Sequence, residues 1–193
     1  MTYLFLISLF ALNLSGQTPV NHFSGGIDLP ANHEAEESSE WDAGQKSQLA
    51  GKPAPDLNIL AINGDSISLA SLKGKIVLLD FFTTWCGPCQ QDAPAVEKLR
   101  EKYDAQDLAI IGISVDEARK TVEKYLAQHP KSYPVALISG HEITRPYQVR
   151  AYPTYIVIDR DGNVAAAVQG KRGFSDLEGQ LKKAGLDVQK REP

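Results

Sequence analysis

Residues 75–89 read KIVLLDFFTTWCGPC, and this run decides the fold. Lys75 to Phe82 is almost unbroken apolar sequence rich in β-branched and aromatic side chains, which predicts a central strand buried on both faces. Cys86 and Cys89 follow at once, where the chain should turn from strand into helix. Beyond them Ala93, Val96, Leu99 and Tyr103 recur at helical spacing, and Pro94 inside that pattern predicts a kink. One charged residue, Asp80, interrupts the strand, and a charge there needs a reason.

Upstream, Asp56 to Ile62 reads as a strand, Asn63-Gly64-Asp65 as a turn and Ser66 to Leu69 as a short returning strand, together a hairpin. Downstream, Leu108 to Val115 is the next buried strand. Ala118 to Gln128 reads as a helix with Val122, Tyr125 and Leu126 facing inward. Val135 to Ile138 is a short strand and Glu142 to Tyr147 a short helix. Tyr155 to Asp159 and Val164 to Gln169 flank the turn Arg160-Asp161-Gly162-Asn163, which marks an antiparallel hairpin. Ser175 and Glu178 fit a capping box, so the last helix should begin there and run to about Ala184, before Gly185. This order is a βαβ unit followed by β, β and α. It specifies an α/β thioredoxin fold, a central mixed sheet flanked by helices, with an extra N-terminal β-hairpin.

The chain has 193 residues and 42% hydrophobic content, enough for one core and short of two full domains. Its formal net charge of −4 gathers in residues 17–48, where Asp28, Glu34, Glu36, Glu37, Glu40 and Asp42 face Lys46 alone. With no basic stripe to neutralise phosphates, nucleic acid is set aside as a partner. No sustained heptad or internal repeat argues for assembly, so a monomer is expected. Tyr3 to Leu14 is an apolar run of signal-peptide length followed by Ser15, Gly16 and Gln17, although no lysine or arginine precedes Lys46 to form a positive n-region. The expected organisation is a signal peptide or N-terminal anchor over 1–16, an acidic flexible linker over 17–48, the domain over 49–187 and a tail over 188–193. Export to an extracytoplasmic compartment follows, free or held at the membrane by the N-terminal segment.

Only two cysteines occur, which excludes a multi-bridge scaffold. Cys86 should open a helix, where unpaired N–H groups and the helix dipole favour a thiolate. Lowering an ordinary thiol from about 8.5 to about 7 takes about 2 kcal/mol, at the upper end of what a helix terminus provides. Gly87 and Pro88 add no cation, so a reducing bias is expected. Cys86 would attack a partner disulfide and Cys89, one turn later and more buried, would resolve the mixed disulfide. A static disulfide or half of a tetrahedral metal site are the competing readings. The metal reading needs two more ligands, and His129 and His141 form no spaced pair. No metal and no cofactor beyond a redox-active Cys86–Cys89 disulfide are expected. By strand spacing Asp80 approaches from beneath, where burial should raise its pKa and suit it to accept the Cys89 proton through a water. Asp92, one turn past Cys89, could tune the same thiols or be a solvated helix carboxylate. Tyr152-Pro153-Thr154 precedes a strand, and its proline suggests sharp geometry with a cis bond and a loop able to pair with an extended substrate.

These residues resemble the TlpA/ResA-like thiol:disulfide oxidoreductases of the thioredoxin superfamily. The resemblance spans roughly 51–185 and rests on GKPAPDL, LKGKIVLLDFFTTWCGPC, the following QQDAP and YPTYIVIDRDGNV. It implies that Cys86 attacks, that Cys89 resolves, that Trp85 shapes the adjoining surface and that Pro153 is the cis-proline of the substrate loop. It also implies extracytoplasmic reduction of client protein disulfides and an upstream thiol electron donor. Members commonly carry Glu where Asp92 stands, which sets the proton-handling role of that position apart. Two alternatives remain on the same fold. A peroxiredoxin-like peroxidase would use Thr83-Thr84-Trp85-Cys86, but Leu79 stands where its proline is expected. A copper chaperone would need one more residue between the cysteines and a placed histidine, with His141 the candidate.

Overall fold

A computed structural model describes residues 49–115 and 117–187, so the expectations for 1–48 and 188–193 lie outside the described residues. The elements are strands β1 (Asn58–Leu60), β2 (Ser66–Ser68), β3 (Ile76–Phe82), β4 (Leu108–Val115), β5 (Val135–Ile138), β6 (Thr154–Ile158) and β7 (Val164–Gln169), with helices α1 (Gly87–Lys102), α2 (Arg119–Gln128) and α3 (Gly173–Lys183). The five-stranded sheet has the order β5-β4-β3-β6-β7, parallel between β3, β4 and β5 and antiparallel from β3 through β6 to β7. This is the expected thioredoxin fold, and β1 with β2 forms the extra antiparallel hairpin.

All seven residues of β3 are buried, because its alternating side chains feed two different apolar layers. Ile76 and Leu78 pack with Val96 and Leu99 of α1 and with Leu177 and Leu181 of α3. Val77, Leu79 and Phe81 point the other way, against Leu57, Ile59, Ile67 and Tyr147. Period-two alternation therefore puts Asp80 on the face that carries α1. The hairpin also serves the sheet edge: Ala61 bridges Ala136, and the Ile62 N–H donates to the Val135 carbonyl at 2.8 Å. At the opposite edge, Gly51 and Lys52 exchange backbone bonds with Val164. Unpaired strand edges invite foreign pairing, and these two contacts blunt both ends.

Two local expectations are corrected. The segment 142–147 is a succession of turns instead of a helix, because Pro146 supplies no N–H and breaks the ladder that Arg145 to His141 begins. The last helix begins at Gly173, two residues before the expected cap, and Arg172 at its N-cap makes no side-chain cap bond. Its orphan N–H groups are met from α1: Asp92 accepts from the Arg172 N–H at 2.6 Å and from the Gly173 N–H at 3.0 Å. Glu178 is engaged elsewhere, accepting from Lys102 Nζ at 2.5 Å, Tyr103 Oη at 2.8 Å and Lys182 Nζ at 3.0 Å.

Candidate active site

The strand β3 delivers the chain through Thr83, Thr84 and Trp85 to Cys86, which is the N-cap residue of α1 with extended backbone. Gly87 and Pro88 occupy the first helical positions, where a proline lacks only an N–H that has no ladder partner anyway. The Cys89 N–H points back at the Cys86 sulfur, 3.2 Å away. A sulfur held there accepts a hydrogen bond and lies at the positive end of the helix dipole, both of which favour negative charge on it. The two cysteines are joined in a disulfide, with their Cα atoms 5.3 Å apart.

Cys86 is 6% exposed and Cys89 7% exposed, so the second cysteine is not the more buried of the two. Both belong to one apolar cluster with Phe82, Val122 and Val135, against which the partly buried Tyr152, Tyr125 and Leu126 pack. Around this apolar collar Trp85 is 73% exposed, and Gly87 and Pro88 are exposed beside it. Tyr152 reaches the collar from the loop before β6, where the Tyr152–Pro153 peptide is cis, as its sequence position suggests. Pro153 is buried, and its carbonyl accepts from the Gly170 N–H at 2.8 Å. The Thr154 hydroxyl donates to the Ala151 carbonyl at 2.7 Å. The structure thus brings Trp85, Cys86, Cys89 and the 152–154 loop to one end of the sheet.

Asp80 is 4% exposed and lies one pleat before Phe82, the side chain on which the cysteines rest. Burial pushes its carboxyl up from 3.8 to about 6, opposed by the Lys131 charge and by the hydrogen bond from Tyr133 Oη, 3.2 Å from Oδ2. The neighbouring carboxylates of Asp92 and Glu97 add to the rise. Tyr133 can stand there because Gly112, opposite Asp80 on β4, has no side chain. A Cβ at that position would meet Val135 at 3.1 Å, Tyr133 at 3.2 Å and Phe82 at 3.3 Å. The Lys131 ammonium closes the far side, 5.3 Å from the ring centroids of both Phe82 and Tyr133.

Asp92 is 1% exposed, which rules out the solvated helix carboxylate. Besides the two α3 amides it accepts from Tyr155 Oη at 3.2 Å. Its charge is thereby committed to joining α1, β6 and α3 beneath the cysteines. His141 lies on the turns between β5 and β6, within 3.5 Å of the Thr144 hydroxyl.

Sequence reading missed Tyr133, Lys131 and Gly112 around Asp80, and it also missed Glu117. Its carboxylate accepts from the Thr84 N–H at 2.9 Å, from the Ser114 hydroxyl at 2.6 Å and from the Thr84 hydroxyl. No motif flags it, because the contact joins positions 33 apart in the chain.

The Redoxin family matches residues 49–181. Thiol-disulfide oxidoreductase ResA of Bacillus anthracis is 37% identical over 139 residues, 72% of this chain and 80% of that protein. Thioredoxin-like protein YneN of Bacillus subtilis is 34% identical over 134 residues, 68% of this chain and 78% of that one. Among solved structures, a thiol:disulfide interchange protein of the thioredoxin family from Chlorobium tepidum superposes with a TM-score of 0.63 at 31% identity, covering 69% of this chain and 95% of that one.

Proposed function

The chain belongs to the Redoxin family and is a thiol-disulfide oxidoreductase, and on that premise we propose that it reduces client protein disulfides through Cys86 and Cys89. The observation that carries this reading is Cys86 at the N-cap of α1, disulfide-linked to Cys89, with Tyr152 packed against the apolar cluster that holds the pair. In the reduced protein the Cys86 thiolate attacks one sulfur of the client disulfide. A Cys86–client bond forms, and the client's second sulfur leaves as a thiolate that takes a proton from solvent. Cys89 then gives its proton to the Asp80 carboxylate through a water and attacks the Cys86 sulfur. The mixed disulfide breaks, the second client thiolate departs, and the protein is left with the Cys86–Cys89 disulfide. Two electrons have passed to the client, and an upstream thiol donor restores them.

A carboxyl poised at about 6 is suited to that proton, being ionised at neutral pH yet basic enough to accept. Trp85 offers apolar area beside the attacking sulfur, and Tyr152, Pro153 and Thr154 would line the client strand. Gly87 and Pro88 keep the lip of the site low, and Asp92 fixes the helix beneath it. We place the protein outside the cytoplasm on the strength of the apolar run Tyr3 to Leu14, cleaved or retained as an anchor. No helix among the described residues is long and apolar enough to cross a membrane. Insulin disulfide reduction, compared with consumption of hydrogen peroxide, tests the activity. Rapid insulin reduction abolished by Cys86→Ser supports the reading, and peroxide turnover without insulin reduction overturns it.

A further inference from the structure

The register between β3 and β4 ends at Phe82 opposite Ser114. Past that pair the chain leaves the sheet, so the Thr84 N–H has no strand to meet, although it lies only two residues before the attacking sulfur. The Glu117 side chain takes the place of the missing ladder. One carboxylate oxygen receives both the Thr84 N–H and the hydroxyl of Ser114, which is fully buried, and the other receives the Thr84 hydroxyl. The Thr84 carbonyl is held in turn by Gln90 Nε2 at 2.8 Å, from the first turn of α1. Hydrogen bonds to a carboxylate are roughly twice as strong as neutral ones, so this clamp is stiffer than a strand pair would be.

We propose that Glu117 is a positioning residue for the thiol chemistry, tying the loop before Cys86 to the end of β4 so that the sulfur stays at the N-cap of α1. The proposal rests on Cys86 being the attacking sulfur. Without the clamp, Thr84 and Trp85 can swing away from β4, and Cys86 leaves the hydrogen bond from the Cys89 N–H. A thiolate that loses that bond is less stable, while the disulfide form loses much less. Loosening the loop therefore disfavours the reduced state and slows attack together.

The side chain acts by geometry, so an amide should substitute for it. Glutamine can accept at one oxygen from the Thr84 N–H and Ser114, and donate to the Thr84 hydroxyl, which rotates to accept. In the full chain, Glu117→Ala should slow alkylation of Cys86 at neutral pH about tenfold. It should lower the reduction potential by about 30 mV, the equivalent of a tenfold change in a two-electron couple. Glu117→Gln should return both to within about twofold of the parent. If the alanine variant does not fold, Thr84→Val, which keeps the N–H and removes one donor, should shift both readouts the same way by a smaller factor. The proposal is overturned if a folded Glu117→Ala or Thr84→Val keeps the parental potential and alkylation rate, or if glutamine restores nothing. Should the parent protein itself fail to alkylate at Cys86, the assignment of that sulfur fails first, which separates the two outcomes.

Discussion

Replacing Asp80 by asparagine should stabilise the fold at neutral pH while slowing exchange. In the folded protein the carboxyl titrates at about 6 against 3.8 in the absence of burial. The folded state therefore holds the proton more tightly than the unfolded chain does, and ionisation costs folded-state stability. The cost is absent below about pH 4, grows as pH rises toward about 6 and is complete above it. A gap of about 2 pH units corresponds to about 3 kcal/mol, at about 1.4 kcal/mol per unit. The asparagine amide must still be accommodated beside Tyr133 and Gly112, and an unmatched buried donor gives back about 1 kcal/mol. The net expectation is a gain of about 2 kcal/mol at pH 7.5 that becomes a deficit of about 1 kcal/mol below about pH 4, where only the amide cost remains. Urea unfolding of oxidised parent and variant at both pH values measures it, other titrating groups cancelling in the difference. A variant less stable than the parent at pH 7.5, or a difference independent of pH, would refute the buried-charge account. The same substitution should slow release of client from Cys86 without slowing formation of the mixed disulfide.

Tyr133→Phe removes a hydrogen bond that lowers the Asp80 carboxyl, so the pH at which resolution is half-maximal should move above about 6, read from a stopped-flow pH profile. Asp92→Ala leaves two α3 amides and the Tyr155 hydroxyl without their acceptor, and should cost about 2–4 kcal/mol in denaturant unfolding, with α3 losing hydrogen-exchange protection first. Glu178 is held down from 4.5 to about 2, first by its bond from Lys102, so its contribution is present above about pH 4.5 and lost as pH falls toward 2. Glu178→Gln should therefore lower stability above about pH 4.5, flatten the acid limb of the stability curve and change little near pH 2.

Much of this was legible in the residues because the signals are local. The run Lys75 to Phe82 reads as a central strand and is one from Ile76 on, and strand spacing brings Asp80 toward the cysteines from beneath. Leu108 to Val115 and Val135 to Ile138 were read at their observed limits for the same reason. What escaped reading depends on side chains that arrive from afar. Ser175 and Glu178 carry a capping signature, yet Asp92, 80 residues earlier than Arg172, supplies the α3 cap and Glu178 is drawn to Lys102. A glycine in a strand says nothing of the phenol ring it admits, and Gly112 shows its purpose only beside Tyr133. Glu117 looks in sequence like one more acid ahead of a helix, and its work is visible only where Thr84 leaves the sheet.

The central claim is that the sulfur at the head of α1 makes the first bond. Cys89→Ser protein, reduced and mixed with a disulfide-bearing peptide, should accumulate one covalent adduct that tandem mass spectrometry maps to Cys86, while Cys86→Ser accumulates none. An adduct on Cys89, or none on either cysteine, would contradict the account.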